Sequence, residues 1–220
     1  MKSKLNWLEA ALVVAPFIVL VLFWNALPAK VPVHWGASGE VDSWANKFPG
    51  LLIAPLLALG LALLLHILPW LDPKLARSRG RIGRMPAVLP PLRFALVALF
   101  DTIFLLQVMV SLGKPIATGR IIISAVLILF LILGNYLGNL RPNYFIGIRT
   151  PWTLENAQTW RATHRLGGRL IFFGALLLLG VQFFLEQRAF AWLFTGAVIA
   201  LAIWGILYSW HHFRTHAAPR

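Results

Sequence analysis

The sequence predicts an all-α fold, a polytopic membrane bundle of six transmembrane helices, and three observations lead to it. Of the 220 residues, 59% are hydrophobic and only 12% are charged, whereas about 25% of the residues of an average soluble domain are charged. Six continuous apolar stretches are each long enough to cross a bilayer as a helix. They lack the alternation of barrel strands, and in lipid only helices or closed barrels satisfy their own backbone polar groups.

The six predicted spans are separated by three short or simple connections and two patterned loops. They are Leu5–Leu27, Gly50–Leu71, Leu92–Leu112, Gly119–Leu140, Gly167–Leu185 and Phe190–Tyr208. Lys2 and Lys4 before the first span resemble the basic start of a signal peptide. The span itself is too long for a signal peptide, and no small-residue cleavage site follows it. We therefore predict that it stays in the protein as a membrane helix.

The basic residues predict the orientation of the bundle. If the N-terminus is cytoplasmic, fifteen of the 20 lysines and arginines lie on the cytoplasmic side, as the positive-inside rule requires. We therefore predict that both termini are cytoplasmic. The net charge of +13 is then mainly a signal of topology, and no direct nucleic-acid partner is expected.

No motif in the sequence predicts catalysis or metal binding. The chain has no cysteine, which excludes disulfides and thiol chemistry. It also lacks a phosphate-binding loop, an H-E-x-x-H pair and a G-x-S-x-G turn. His212 and His216 have the spacing of a metal pair, but they lie in a basic tail that is more typical of membrane-surface contact. We therefore predict no enzyme activity, no cofactor and no metal site.

The outer loop, residues 28–50, is too elaborate for a simple linker. Its prolines favour extended segments, and its glycines favour turns. Two tryptophans are unusual in a solvated connection, so we predict that this loop folds onto the outer face of the bundle. Its candidate ligand-binding residues are His34, Trp35, Gly39, Asp42, Trp44 and Lys47.

Two inner loops follow. The first, residues 72–91, is basic and rich in proline and glycine, which suits a cytoplasmic location and contact with anionic lipids.

In the second, residues 141–168, Thr150 and Pro151 form a helix start, so we predict a short helix from about Pro151 to His164 that ends near Gly167 and Gly168. That helix suits either an interfacial segment on the inner leaflet or a protein-binding surface. The candidate partner-binding residues are Asn143, Tyr144, Arg149, Pro151, Trp152, Glu155, Asn156, Trp160, His164 and Arg165.

Several polar side chains fall inside the spans at a similar inner depth. The predicted intramembrane cluster comprises Glu9, His66, Asp101, Asn135 and Asn139. Such groups are costly in lipid and are functional candidates by default, although small polar clusters also serve as hydrogen-bonded contacts between helices. Both interpretations stay open, and the functional one places Asp101 as the ionisable centre of an inward-facing polar cavity.

The chain divides into two membrane regions, residues 1–91 and 92–220. The first contains the outer loop 28–50 and the basic inner loop 72–91, and the second contains the patterned inner loop 141–168. Counted by spans, the first three and the last three each consist of one helix, a long patterned loop and two more helices. With three helices in each half, the two halves would have opposite orientations. This layout is typical of a 3+3 inverted repeat, which we carry as an architectural hypothesis.

Two strings in these loops resemble a known family. The string VPVHWGASGEVDSWANK is similar to a motif of SdpI-type membrane proteins, and GNYLGNLRPNYFIGIRTPWTLENAQTWRATHRLGG resembles the C-terminal signature of that family. The resemblance implies a bacterial cytoplasmic (inner) membrane protein that gives immunity against a secreted peptide toxin at the outer face. It also implies signalling, in which the protein holds a small cytoplasmic repressor protein at the membrane.

The intramembrane cluster suggests a different function, that of a small proton-linked or small-molecule transporter. The two functions differ in the residues on which they depend. Immunity would depend on the loops and tolerate changes at Asp101, whereas transport would depend on Asp101.

Overall fold

The structure is a computed structural model that describes residues 7–71 and 88–216. Lys2, Lys4, most of the basic inner loop (residues 72–87) and residues 217–220 lie outside the described residues. Within the described part, six helices are long and apolar enough to cross a membrane. The prediction of a six-span helical membrane protein is thereby confirmed, while the location of the termini stays a prediction.

Eight helices and two strands follow one another along the described chain. The helices are α1 (Trp7–Phe23), the single turn α2 (Lys47–Gly50), α3 (Ile53–Leu71), α4 (Leu89–Ser111), α5 (Thr118–Leu137), the short α6 (Pro151–Glu155), α7 (Ala157–Val181) and α8 (Gln187–His216). A 3-10 turn, Trp24–Ala26, follows α1, and strands β1 (Lys30–Trp35) and β2 (Val41–Asn46) lie between it and α2.

The six long helices form two groups that meet along one seam. In the first group α4 packs against α1 and α3, and in the second α7 packs against α5 and α8, while α4 and α5 join the groups. Large apolar side chains such as Val21, Phe173 and Leu177 are exposed on the outside of the bundle. Exposed apolar surface of this kind is expected where helices face lipid. The inverted-repeat relation between the two groups stays a hypothesis.

The two ends of the bundle carry different structures. The two strands contact the C-terminal half of α4 and the starts of α5 and α8. Residues 141–168 lie at the opposite end, where they contact Leu140 after α5 and Ser209 near the end of α8. We refer to these as the hairpin end and the loop end.

The fold is not purely α-helical, because residues 30–46 form an antiparallel β-hairpin. The hairpin register runs from Lys30 opposite Asn46 to Trp35 opposite Val41. Gly39 in the connection has a φ of +83°, a conformation that glycine adopts readily because it has no Cβ. The extended segment and the turn expected in the outer loop are confirmed, and the all-α assignment is wrong for this loop.

The helix predicted from Pro151 to His164 is also wrong in its extent. The helix breaks at Asn156, whose Oδ1 accepts from the backbone N–H groups of Gln158 and Thr159 and so caps the start of α7. Helix α7 then continues through Gly167 and Gly168 into the fifth span, which therefore begins at Ala157. The pair Gly167 and Gly168 was a misleading sign of a helix end, because both glycines lie inside α7 where it packs against its neighbours.

Gly168 lets α5 and α7 approach closely. A Cβ added at Gly168 would lie 2.7 Å from the carbonyl oxygen of Gly134, and one added at Gly134 would lie 2.6 Å from the backbone nitrogen of Phe172. Small residues at such contacts let the backbones of membrane helices meet, which favours association through van der Waals packing. Gly134 and Gly168 therefore allow the close packing of α5 against α7 in the second helix group.

This contact predicts that two glycines of α7 differ sharply in their tolerance of alanine. In Gly168→Ala the added methyl group forces the helices apart, and we expect the free energy of unfolding in detergent to fall by about 1–3 kcal/mol. Gly174→Ala is the matched control, because nothing lies within 4 Å of its added Cβ and alanine is the better helix former. Thermal unfolding followed by circular dichroism measures both, and equal losses would contradict the packing.

Candidate functional site

One buried amide holds the hairpin on the bundle. Gln107 of α4 donates from Nε2 to the carbonyl oxygen of Pro32 at 2.7 Å and to that of Gly50 at 3.2 Å. Below these bonds, Val31 is fully buried in an apolar cluster that includes Phe104 of α4. A two-stranded hairpin is marginal by itself, so this docking stabilises it. The outer loop is thus folded onto the bundle, as the sequence predicts.

Three of the predicted ligand-binding residues lie on the exposed surface of the hairpin. His34 and Asp42 are exposed and are joined by a hydrogen bond of 2.6 Å between Nδ1 and Oδ1. Trp44 is 53% exposed. These side chains are accessible to a ligand that approaches the hairpin end.

Two cations at the hairpin end are engaged with helix ends. Lys47 donates from Nζ to the carbonyl oxygens of Trp24 and Leu27, each at 2.8 Å, and so satisfies carbonyl groups after α1. Arg120 donates to the carbonyl oxygen of Gln182 at 3.0 Å, just beyond α7. Positive side chains at helix C-termini satisfy free carbonyls and interact favourably with the helix dipole. Lys47, which the sequence predicts as a ligand-binding residue, therefore has a structural role at the end of α1.

A cavity lies between the hairpin turn and the starts of α5 and α8. Its volume is about 320 Å³, and its mostly apolar lining includes Trp35, Ile122 of α5 and Trp192 of α8. Beside it the hairpin touches α5 directly, since a Cβ added at Gly119 would lie 2.8 Å from the Cα of Gly39. Trp35 and Gly39 are thus placed where the hairpin meets the second helix group.

At the loop end, Asn143 bonds to the backbone on both sides of itself. Its Oδ1 accepts from the N–H groups of Phe145 and Ile146, at 2.9 and 2.7 Å, and its Nδ2 donates to the carbonyl oxygens of Arg141 and Ile146. The side chain is buried, and buried amides of this kind are stable only when hydrogen-bonded. Asn143 therefore shapes the loop after α5.

His164 fills the centre of the same loop. Its Nε2 accepts from the N–H of Ile148 at 3.0 Å, so Nδ1 carries the proton and donates to the carbonyl oxygen of Trp160 at 2.8 Å. The imidazole also stacks on the Trp160 ring with 3.9 Å between centroids, and both side chains are fully buried. Gly147 has a φ of +115°, and a Cβ there would collide with the imidazole. Glycine is therefore required at that position.

Hydroxyl groups start α6 and connect it to α8. Oγ1 of Thr150 accepts from the N–H of Thr153, and Oγ1 of Thr153 accepts from the N–H of Thr150, so the predicted N-cap is confirmed. Thr150 also donates to Oγ of Ser209 at 2.9 Å. Nearby, the indole of Trp160 donates to the carbonyl oxygen of Leu140 at 2.8 Å. The loop is thus bonded to the ends of both α5 and α8.

The predicted partner-binding residues separate into two sets. Asn143, Trp160 and His164 are buried in the loop, and Asn156 caps α7. The members with exposed side chains are Tyr144, Arg149, Pro151, Glu155 and Arg165, and Trp152 is half-buried. In this conformation a partner can reach the exposed set, whereas the buried set organises the loop.

Inside the bundle, Glu9 is paired with an arginine outside the predicted cluster. Arg93 of α4 donates from Nε to Oε1 of Glu9 and from a terminal nitrogen to Oε2 at 2.9 Å. Both side chains are buried, and Nδ1 of His66 lies 3.5 Å from the guanidinium. Bidentate pairing of this kind compensates both charges away from water. A polar contact thus joins α1, α3 and α4 at the loop end.

The other predicted members of the cluster lie elsewhere. Asp101 is 8% exposed, and its Oδ1 has no hydrogen-bond partner among the described residues. It follows Arg93 by eight residues, which is about 12 Å along the helix. Asn135 and Asn139 have exposed side chains on and just after α5. The structure therefore brings Glu9 and His66 together but leaves the remaining three apart.

The sequence interpretation missed the pairing of Glu9 with Arg93 and the hydrogen-bond partners of Gln107. Arg93 is one of the fifteen basic residues that the positive-inside rule places on the cytoplasmic side. A carboxylate inside a span, however, needs a cation at the same depth, and Glu9 and Arg93 both lie near the start of their helices. That signal could have identified the pair. Gln107 is a polar side chain inside a predicted span and so a candidate by sequence, but its acceptors, the carbonyl groups of Pro32 and Gly50, are far from it in sequence and are defined only by packing.

Comparisons with known proteins agree with the resemblance drawn from the two loops. Residues 139–209 match the SdpI/YfhL protein family, and residues 11–59, which include the hairpin, match a domain of unknown function (DUF1648). The Immunity protein SdpI of Bacillus subtilis (strain 168) is 22% identical over 211 residues, which cover 96% of this chain and 97% of that protein. No solved structure matches the chain. The resemblance to the SdpI-type family is thereby confirmed.

The buried ion pair predicts opposite outcomes for single and double substitutions. Arg93→Met leaves the Glu9 carboxylate buried without its cation, and we expect the free energy of unfolding to fall by about 3–5 kcal/mol. Glu9→Gln combined with Arg93→Met removes both charges, so most of that loss is expected to be recovered. Denaturant titration in detergent measures both variants. Arg165→Met, at an exposed position, is the control, and a double variant as unstable as the single one would contradict the pairing.

Proposed function

We propose that this multi-pass membrane protein protects its bacterium against a secreted peptide toxin, which it meets at the outer face of the cytoplasmic membrane. The proposal is supported chiefly by similarity to an Immunity protein, which extends over 96% of the chain and so includes both the hairpin and the loop end. That relative's name refers to immunity alone. The peptide nature of the toxin and its contact with the hairpin are part of the proposal.

In this proposal the hairpin end is the outer end of the bundle. Fifteen of the 20 basic residues are then cytoplasmic. Among the five outer cations, Lys47 and Arg120 are engaged with backbone carbonyl groups, so they repel a cationic peptide less than free side chains would. The exposed Trp44 and the carboxylate of Asp42 offer such a peptide one aromatic and one acidic contact.

At the loop end we propose contact with anionic lipids and with a small cytoplasmic repressor protein. Arg161, Arg165 and Arg169 are exposed at intervals of four residues and so lie along one stripe of α7. Arginines near the inner leaflet attract anionic headgroups. A repressor would use the exposed members of the predicted set, such as Tyr144 and Arg149. Signalling further requires two arrangements of the bundle that toxin and repressor bind with different affinities.

The immunity proposal predicts that deleting the gene makes its bacterium sensitive to toxin in its own spent medium. The wild-type gene on a plasmid should restore colony counts. Gln107→Leu should not, because it leaves the buried carbonyl groups of Pro32 and Gly50 without donors and weakens hairpin docking by about 1–3 kcal/mol. Ser43→Ala, at an exposed position of β2, is the matched control and should restore growth. Undiminished survival of the deletion strain would contradict immunity.

One observation favours the alternative, a proton-linked or small-molecule transporter. Asp101 places a carboxyl group inside a membrane span, and its Oδ1 is unpaired among the described residues. Unpartnered ionisable groups in a span are functional candidates. The alternative is weakened by Asn135 and Asn139, because their exposed side chains do not extend a polar path from Asp101.

Asp101→Asn separates the two functions, because it keeps the shape of the side chain and removes its titratable proton. Immunity predicts unchanged protection in the spent-medium assay. Transport predicts loss of protection together with loss of proton flux in proteoliposomes that carry the purified protein. Thr102→Val is the matched control, since among the described residues the Thr102 hydroxyl bonds only to a carbonyl of its own helix, that of Ala98.

A further inference from the structure

We propose that the cavity beneath the hairpin turn binds one residue of an extended peptide, with its apolar side chain inside the cavity and its backbone amide paired with Trp35 and Gln187. The inference rests on the proposed function in one respect, that the natural source of this peptide is the secreted toxin. It adds the place of binding and the chemistry that the site recognises.

Two unpaired polar atoms belong to side chains that line this cavity. The indole Nε1 of Trp35 is a donor, the Oε1 of Gln187 is an acceptor, and both are buried without a hydrogen-bond partner among the described residues. Buried polar atoms are nearly always paired, and an unpaired one requires an explanation. A donor and an acceptor at one site are what a single peptide group satisfies, since it offers one carbonyl oxygen and one N–H.

The remaining lining favours an apolar side chain. Ile122 and Ile123 of α5 and Trp192 and Phe194 of α8 face the cavity together with Trp35. A volume of about 320 Å³ is at the lower limit of ligand pockets, so the occupant is small. One leucine-like side chain with its peptide group fits this description better than a folded domain or a large cofactor.

The same lining argues against a lipid. Among the described residues that line the cavity none is charged, so a phosphate headgroup would find no cation. An acyl chain has neither donor nor acceptor, and it would leave the Trp35 and Gln187 atoms unpaired. A peptide residue satisfies both the polar atoms and the apolar walls, so it is the occupant we infer.

The position of the cavity also suits a receptor. Its walls come from the hairpin, which α4 holds through Gln107, and from α5 and α8 of the other helix group. Direct contact between the hairpin and α5 occurs here at Gly39 and Gly119. An occupant therefore touches the hairpin and the second helix group at once. Because α4 of the first group holds the hairpin, binding would favour one relative arrangement of the two groups.

The absence of cysteine from the chain permits a direct test with the purified full-length protein in detergent. Ala37→Cys and Ala191→Cys each place one thiol in the cavity lining, and Ser43→Cys places one on the exposed strand β2. The probe is the blocked tripeptide N-acetyl-Ala-Leu-Ala-amide, and its aspartate counterpart N-acetyl-Ala-Asp-Ala-amide is the control. The readout is the rate of thiol alkylation by a maleimide.

We expect the leucine peptide to slow alkylation at both cavity thiols and to leave Ser43→Cys unaffected, while the aspartate peptide protects neither. Trp35→Phe and Gln187→Leu should each raise the concentration needed for half-protection about fivefold, as expected for loss of one hydrogen bond. Thr195→Val is the matched control in the lining and should leave that concentration unchanged, because its hydroxyl already donates to the carbonyl oxygen of Ala191.

Three outcomes would overturn the inference: no protection by the leucine peptide, equal protection by both peptides, or protection by phosphatidylglycerol in place of the peptide. Unchanged melting temperatures of Trp35→Phe and Gln187→Leu establish that both are folded. Failure here is distinguishable from failure of the immunity proposal. Protection of the thiols in a protein whose deletion strain survives toxin would refute immunity and leave the peptide site standing, and the reverse pattern would refute the site alone.

Discussion

The pairing of Arg93 with Glu9 is the contact on which the first helix group depends. Both charges are buried in the bundle, where neither has water to solvate it, so each is tolerable only beside the other. The pair fixes α1 against α4 and brings His66 of α3 to the same place. Because α4 also carries Gln107 at its other end, the helix that holds the ion pair is the one that holds the hairpin.

The same rule, that every polar group away from water needs a partner, explains both ends of the bundle. At the hairpin end, Lys47 and Arg120 satisfy carbonyl groups where α1 and α7 finish. At the loop end, Asn143 and His164 satisfy backbone groups of a loop that has little regular structure. Five buried side-chain atoms of the described residues lack a hydrogen-bond partner, and two of them, Nε1 of Trp35 and Oε1 of Gln187, belong to side chains that line one cavity.

The long inner string that carries the family resemblance has a structural basis. Gly147, Trp160 and His164 interlock in the loop interior, and Thr150 starts α6 and reaches α8. In this chain the string therefore supplies residues that organise one loop fold. These buried residues organise the loop whether or not a partner binds, which is why resemblance to a family and identification of a binding surface are separate conclusions.

Hydropathy along the chain was enough to identify six membrane helices, because a span of about 20 apolar residues has few other stable forms in lipid. Local chemistry also identified the extended outer loop and the helix start at Thr150, since prolines and caps act on their immediate neighbours. Packing between distant segments decided the rest. Glu9 meets Arg93 across 84 residues, and the glycines at 167 and 168 pack within a helix that they were expected to end. Trp35 and Gln187 line one cavity only because the hairpin folds over two helices. These contacts depend on which helix faces pack against each other, and the hydrophobic periodicity of a single segment does not contain that information.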